Sequence, residues 1–246
     1  MIPFVRRQKI LEILHKSEVA YLDELIKETG ASEATIRRDL KTLNEEGQID
    51  LLLGGAAKIR VHLSEEPLNK RVFTNKEEKE LIGKYAATLI NDGDFIYIGP
   101  GTTENTIIQH LAEKNVTVVT TGTFHINALI ENKIDCIILG GRMIHSIAVL
   151  SGPMAIEQVK NMHFDKCFIG CSGLSFEGKL TTSDENVAAM NKEVIKTAKT
   201  VYFLADSTKF GKANRFEFSA TQNDHYLITT KKQEEFIGEC KLIITE

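Results

Sequence analysis

Two sets of side chains in this sequence have types and spacings suited to recognition chemistry. The first is compact: Ser32, Ala34, Thr35, Arg37, Arg38, Lys41 and Thr42 fall in one short run. At about 100° per residue in a helix, Ala34, Arg38 and Lys41 share one side, with Thr35, Arg37 and Thr42 flanking them. Ile36, Leu40 and Leu43 fall on the opposite side. Guanidinium groups suit guanine edges and phosphates, small hydroxyl side chains permit close approach, and a helix N-terminus attracts phosphate. That combination fits a helix reading double-stranded DNA in the major groove. The bland alternative is a solvated basic face on a small packing or dimerisation domain over residues 4–58.

The second set is dispersed over strand ends. Gly99-Pro100-Gly101-Thr102-Thr103 follows an apolar run and precedes a helical one. Glycines let backbone approach a ligand, and helix N–H groups and threonine hydroxyls can donate to phosphate oxygens. Such turns also arise for purely steric reasons. Other strand ends carry Gly140-Gly141, Gly170 to Gly173, Thr181-Thr182 and Asp206 to Gly211. In a parallel sheet these ends converge on one edge, where ligands bind. The candidate ligand-binding residues are therefore Gly101, Thr102, Thr103, Gly140, Gly141, Gly173, Thr182 and Lys209, with Lys209 the counter-charge for a phosphate.

The elements that must position these residues follow from hydrophobic period and punctuation. Ile10, Ile13 and Leu14 mark one helix, and Leu22, Leu25 and Ile26 a second. Gly30 closes the second and Ser32 is placed to cap a third, so Gly30 and Ala31 form a tight turn between crossing helices. After Gly47, QIDLLLGGAAK reads as a strand that turns at Gly54-Gly55 and returns as a wing. Seven strands are expected at 94–98, 116–119, 135–139, 166–170, 201–205, 225–228 and 241–245, alternating with helices such as 102–113 and 186–198. That order predicts an α/β unit with a mainly parallel, doubly covered sheet. The organisation is thus a winged helix-turn-helix over 1–58, a linker over 59–70, and an α/β domain over 71–246, entered by a helix interrupted near Asn75.

Composition sets outer bounds. Hydrophobic residues at 42% and charged residues at 26% fit a globular protein. The net charge of −4 argues against nonspecific coating of nucleic acid, and Met1 to Arg60 holds ten basic and ten acidic residues. DNA binding must therefore depend on where the charges sit. Cys136, Cys167, Cys171 and Cys240 form no CxxC pair and the histidines no HExxH motif, so neither metal nor cofactor is expected. Apolar runs too short for a bilayer, and an N-terminus unlike a signal peptide, predict a cytoplasmic protein without a membrane partner.

Residues 6–56, RRQKILEIL to GGA, resemble the DNA-binding domain of DeoR-type repressors, above all in SEATIRRDL from Ser32 to Leu40. The remainder resembles the DeoR-type effector domain through Asp92-Gly93-Asp94, Gly101-Thr102-Thr103, Leu139-Gly140-Gly141, Phe164-Asp165-Lys166, Leu180-Thr181-Thr182 and Ala205 to Gly211. The resemblance implies a fold similar to ribose-5-phosphate isomerase, a phosphorylated sugar as effector, and control of sugar-metabolism genes. Three departures matter. Asp50 to Leu53 replace the Arg and His that usually precede the wing glycines. Gly99-Pro100 replaces the usual Asp-Ser, a variant shared with repressors of lactose and tagatose phosphate pathways. Cys171-Ser172-Gly173 stands where related isomerases place catalytic carboxylates, which counts against the alternative of an isomerase fused to a DNA-binding domain. Because one recognition helix reads only a few base pairs, a homo-oligomer on repeated half-sites is expected. The α/β domain is the expected effector-binding and oligomerisation domain, since the first sixty residues have little apolar surface left after their own core.

Overall fold

A computed structural model describes residues 2–17, 19–45, 48–52, 55–59 and 68–246. The chain divides into two compact units, Met1–Val61 and His62–Glu246.

In the first unit, α1 (Pro3–Ser17), α2 (Leu22–Thr29) and α3 (Glu33–Glu45) enclose Ile10, Leu14, Leu22, Leu25, Ile36, Leu40 and Leu43. The expected apolar faces are the buried ones. α2 stops at Gly30, whose φ of 68° is left-handed and whose N–H donates to the Ile26 carbonyl. Ser32 sits just before α3, its carbonyl accepting from Ile36 N–H at 3.0 Å and its hydroxyl meeting Thr35 Oγ1 at 2.9 Å. β1 (Val19–Ala20), β2 (Ile49–Leu51) and β3 (Ala57–Ile59) form an antiparallel sheet in the order β1-β3-β2. β2 and β3 are the wing; Leu53 and Gly54 at its turn lie outside the described residues, as does 60–67 of the expected linker.

The second unit opens with α4 (Leu68–Arg71) and α5 (Lys76–Thr88), separated at Asn75, whose φ is 49°. Its sheet has seven parallel strands: β4 (Phe95–Ile98), β5 (Thr117–Thr120), β6 (Asp135–Ile138), β9 (Phe164–Gly170), β12 (Ala198–Leu204), β14 (Tyr226–Thr229) and β15 (Lys241–Ile244). All seven expected strands are present, with β9 and β12 starting earlier than expected. Both faces are covered, which is why runs such as FIYI and VYFL are continuously apolar. α5 and α6 (Thr102–Ile108) pack Ile82, Ala86, Ile107 and Ile108 over Ile96, Ile98 and Phe168. On the other face, α8 (Pro153–Val159) and α9 (Glu185–Thr197) pack Ala155, Val159, Met190 and Val194 over Tyr97, Cys167 and Phe203.

Four features differ from the sequence reading. α6 ends at Ile108 rather than near Glu113, and α7 (Ile126–Glu131) is a further short helix. A hairpin of β7 (Arg142–Ile144) and β8 (Val149–Ser151) follows β6. A small antiparallel sheet of β10 (Gly173–Leu174), β11 (Lys179–Thr182) and β13 (Phe216–Ala220) flanks the parallel one. Among the described residues no helix is long and apolar enough to cross a membrane.

Candidate functional site

α3 is anchored from behind. Besides Ile36, Leu40 and Leu43, it buries Asp39, whose carboxylate accepts from Arg6 Nε at 2.5 Å and Nη2 at 3.3 Å. The pair ties α3 to α1, and removing either partner of such a buried pair costs about 3–5 kcal/mol. Neither residue stands out by sequence, because a single Arg and a single Asp carry no periodic signal.

The opposite face of α3 is open. Ser32, Ala34, Arg37, Arg38 and Lys41 are exposed, and Thr35 and Thr42 half-buried. Arg37 pairs with Glu33 at 2.8 Å, and Lys41 lies 3.8 Å from Glu45. Such solvated pairs are worth at most about 1 kcal/mol, so phosphate can displace them. Arg38 has no ion pair among the described residues, and only its carbonyl is engaged, by the Thr42 hydroxyl at 3.1 Å. The structure thus brings all seven expected residues onto or beside one solvent-facing helix surface. The wing beside it presents exposed Leu51, Leu52 and Lys58.

In the sheet order β15-β14-β12-β9-β4-β5-β6, the chain runs outward from β4 in one direction and from β9 in the other. The β4–β9 boundary is the topological switch point, where loops diverge and leave a crevice. A cleft of about 60 Å³ opens there, lined by Pro100 to Glu104 after β4 and Gly170 to Ser172 after β9. Arg71, Thr182, Asn191 and Lys209 complete its polar lining. Of the expected ligand residues, Gly101, Thr102, Thr103, Thr182 and Lys209 therefore meet at one cleft. Gly140, Gly141 and Gly173 do not line it. A side chain on Gly141 would meet the Ser151 carbonyl at 2.6 Å, and one on Gly173 the Lys212 carbonyl at 2.6 Å. Gly140 exchanges hydrogen bonds with the Gln158 amide. These three glycines answer to packing within the fold.

Gly101 itself has a steric partner absent from the sequence reading. Glu104 is 3% exposed, and its carboxylate accepts from Gly170 N–H at 2.7 Å. Side chains at Gly101 and Gly170 would come within 2.0 and 2.7 Å of that carboxylate. Burial raises the Glu104 pKa, opposed by hydrogen bonds from its own and Gly170's N–H and by the nearby charges of Arg71 and Lys209. Lys79 is buried beside the same group and donates to the Arg71 carbonyl. Desolvation lowers its pKa, as do Lys209 and Arg71, while Asp206 and Glu104 oppose them.

The turn bearing Lys209 is held from two sides. Asp206 accepts from Thr208 N–H at 3.0 Å and Asn75 Nδ2 at 3.3 Å, and Glu78 accepts from Ser207 N–H at 2.8 Å and Oγ at 2.7 Å. Burial alone would raise the Glu78 pKa, but those bonds and one from Thr230 bring it below its ordinary value. The Gly101 loop is held by His125, which is fully buried, with Nε2 3.1 Å from the Gly101 carbonyl. A carbonyl only accepts, so Nε2 carries the hydrogen. Nδ1 then accepts from Thr120 Oγ1 at 3.3 Å, which itself accepts from Gly122 N–H at 3.1 Å. Asn191 Oδ1, by contrast, is buried without a partner among the described residues, a condition that costs about 1–3 kcal/mol when left unmet. Arg71, Glu104, His125 and Asn191 were not legible as site residues, since their place depends on how distant loops converge.

A winged helix-turn-helix with an open basic face, together with a parallel α/β unit bearing a polar cleft, defines a DNA-binding regulator with a sensor domain. Comparison with known proteins agrees. The DeoR-like helix-turn-helix domain matches residues 6–61, and the DeoR C terminal sensor domain residues 74–231. The chain belongs to the DeoR family of transcriptional regulators. It is 38% identical over 230 residues to FruR of Bacillus subtilis (strain 168), an uncharacterized HTH-type transcriptional regulator, covering 93% of this chain and 91% of that one. With the HTH-type transcriptional repressor GlcR of the same organism it shares 31% over 223 residues, covering 90% and 86%. Among solved structures it is similar to ribose 5 phosphate isomerase A from Neisseria gonorrhoeae, with 18% identity, a TM-score of 0.42, and coverage of 58% of this chain and 56% of that one. The relatives that span nearly the whole chain are regulators by name, and the isomerase alternative is not favoured.

Proposed function

We propose that this regulator represses genes of sugar metabolism and that a phosphorylated sugar, held in the cleft between the β4 and β9 loops, controls its grip on double-stranded operator DNA. The observation that carries the reading is the meeting of Arg71 and Lys209 with the hydroxyl-bearing residues Thr102, Thr103, Ser172 and Thr182 around one cleft. A phosphate monoester matches that set, two positive charges against its two negative ones and hydroxyl donors for its remaining oxygens. Operator DNA is read by the exposed face of α3 through Arg38, with Arg37 and Lys41 beside it. The reading places the protein in the cytoplasm as a homo-oligomer, with two heads reading repeated half-sites.

Thermal-shift screening of the full chain against hexose and pentose monophosphates tests the reading, because a ligand of the folded state raises apparent stability by mass action. At least one ester should raise the melting temperature dose-dependently and change operator affinity in a gel-shift titration. A panel that leaves both unchanged would overturn the proposal.

A further inference from the structure

Asn191 is the polar group of the cleft that phosphate recognition leaves without a partner. It lies on the buried face of α9, one turn beyond Val187, and both residues line the cleft. The residue is 3% exposed, and its Oδ1 is shielded from water with no hydrogen-bond partner among the described residues. Its buried neighbours along that helix face, Val187, Met190 and Val194, are apolar and offer no donor. Glu104, equally buried in the cleft, is engaged differently, since it accepts from Gly170 N–H.

A second orphan adjoins the first. Ser151 packs with Asn191, Pro100, Val149 and Val187 at the margin of the cleft, in a seam too tight to admit a water molecule. Ser151 is 3% exposed, and its Oγ is likewise buried without a partner. Arg71, Lys209 and the hydroxyls of Thr102, Thr103, Ser172 and Thr182 already match a phosphate, which leaves the Asn191 carboxamide for an uncharged part of the ligand. The carboxamide offers a donor and an acceptor without charge, and the ligand group that complements it is a hydroxyl, which donates and accepts at one atom.

We propose that Asn191 is a specificity-determining residue of the cleft, reading a hydroxyl on the carbon chain of a phosphorylated ligand, so that the site selects polyhydroxylated phosphate esters over inorganic phosphate and over deoxy analogues. The proposal rests on the phosphate reading above and adds the ligand's other end. Val187 and Val149, which line the cleft with Asn191, would flank the carbon chain.

Calorimetry with the full chain tests it, using inorganic phosphate, a panel of hexose and pentose monophosphates, and their deoxy analogues. The unaltered protein should prefer at least one hydroxylated ester over its deoxy analogue by roughly tenfold, the scale of one hydrogen bond. Asn191→Leu, close in shape but unable to hydrogen-bond, should reduce that preference to within about twofold while inorganic phosphate binds as before. Its melting temperature without ligand should hold or rise, whereas a purely structural role for the amide would lower it. Asn191→Ala serves the same comparison if the leucine variant does not fold. Retention of the hydroxyl preference in either variant overturns the assignment and leaves the phosphate reading standing, as does an unaltered protein that binds phosphate and all esters equally. Failure of the unaltered protein to bind any of these probes removes the phosphate reading and this proposal with it.

Discussion

Arg38 and Lys209 are the two residues on which the DNA and effector readings turn, and each can be removed without opening a core. Arg38 projects from the face of α3 opposite Ile36, Leu40 and Leu43, and only its backbone carbonyl is engaged by a neighbouring side chain. Arg38→Ala should therefore cost roughly 1–3 kcal/mol of operator affinity with no loss of melting temperature. A gel-shift titration at fixed salt that finds affinity unchanged would remove Arg38 from the interface. Lys209 lines the cleft on a turn fixed by Asp206 and Glu78. A hydrogen bond to a charged group is worth about 1.5–3 kcal/mol, so Lys209→Ala should weaken effector binding by roughly tenfold to a hundredfold. Operator binding without effector should persist. Normal effector binding by calorimetry in this variant would mean that the lysine is only a solvated neighbour of the cleft.

At the scale of elements, the sequence and the structure agree where periodicity is strong. The three helices of the first unit carry apolar residues at one period, and the central strands of the second, covered on both faces, read as continuous apolar runs, so burial and pattern coincide. What escaped was short or cooperative. β7, β8 and β10 have two or three residues each, too few for a period to register, although the alternation in Phe216-Glu217-Phe218 at β13 was readable. Gly140, Gly141 and Gly173 look from sequence like ligand loops, but none lines the cleft, and tight backbone contacts explain Gly141 and Gly173. His125 was equally invisible, because nothing local links it to Gly101. Its pKa is pushed down to about 4 by burial, against an opposing hydrogen bond to the Gly101 carbonyl, from an ordinary 6.5. The folded form holds this imidazole neutral, so as pH falls below 6.5 the unfolded chain takes up the proton first. The contribution is fully present above pH 6.5 and is lost as pH drops toward 4, an effect of about 3 kcal/mol at 1.4 kcal/mol per unit. Denaturant unfolding of the native protein and His125→Gln across pH 7 to 4.5 should show the steeper acid loss in the native protein, the carboxylates being common to both. Parallel pH curves would show that His125 is protonated in the fold without penalty.

At the scale of the whole molecule, specificity demands more than one DNA-reading head. A single recognition helix contacts only a few base pairs, and useful discrimination requires two heads on the same face of the duplex. The sequence suggested that the α/β unit would hold the copies together, on the ground that the first unit has little apolar surface left beyond its core. That ground is weaker than expected, because Ile2, Phe4 and Val5 at the start of α1 are exposed, as are Tyr21, Leu51 and Leu52. The second unit also leaves surface suited to self-association. Its sheet ends in two edge strands, β6 and β15, with Ile137 and Ile244 exposed on them and Ile130 exposed on α7. Unpaired edges and exposed large apolar side chains are features that partners cover. The second unit also has its own cores on both faces of a complete sheet, so a fragment beginning at His62 should fold alone. Light scattering should find both the full chain and this fragment larger than a monomer. A monomeric fragment beside an oligomeric full chain would move the interface to the first unit, where Phe4→Ser and Val5→Ser should then dissociate it. A full chain that stays monomeric at the concentrations where it binds its operator would remove the two-headed arrangement altogether.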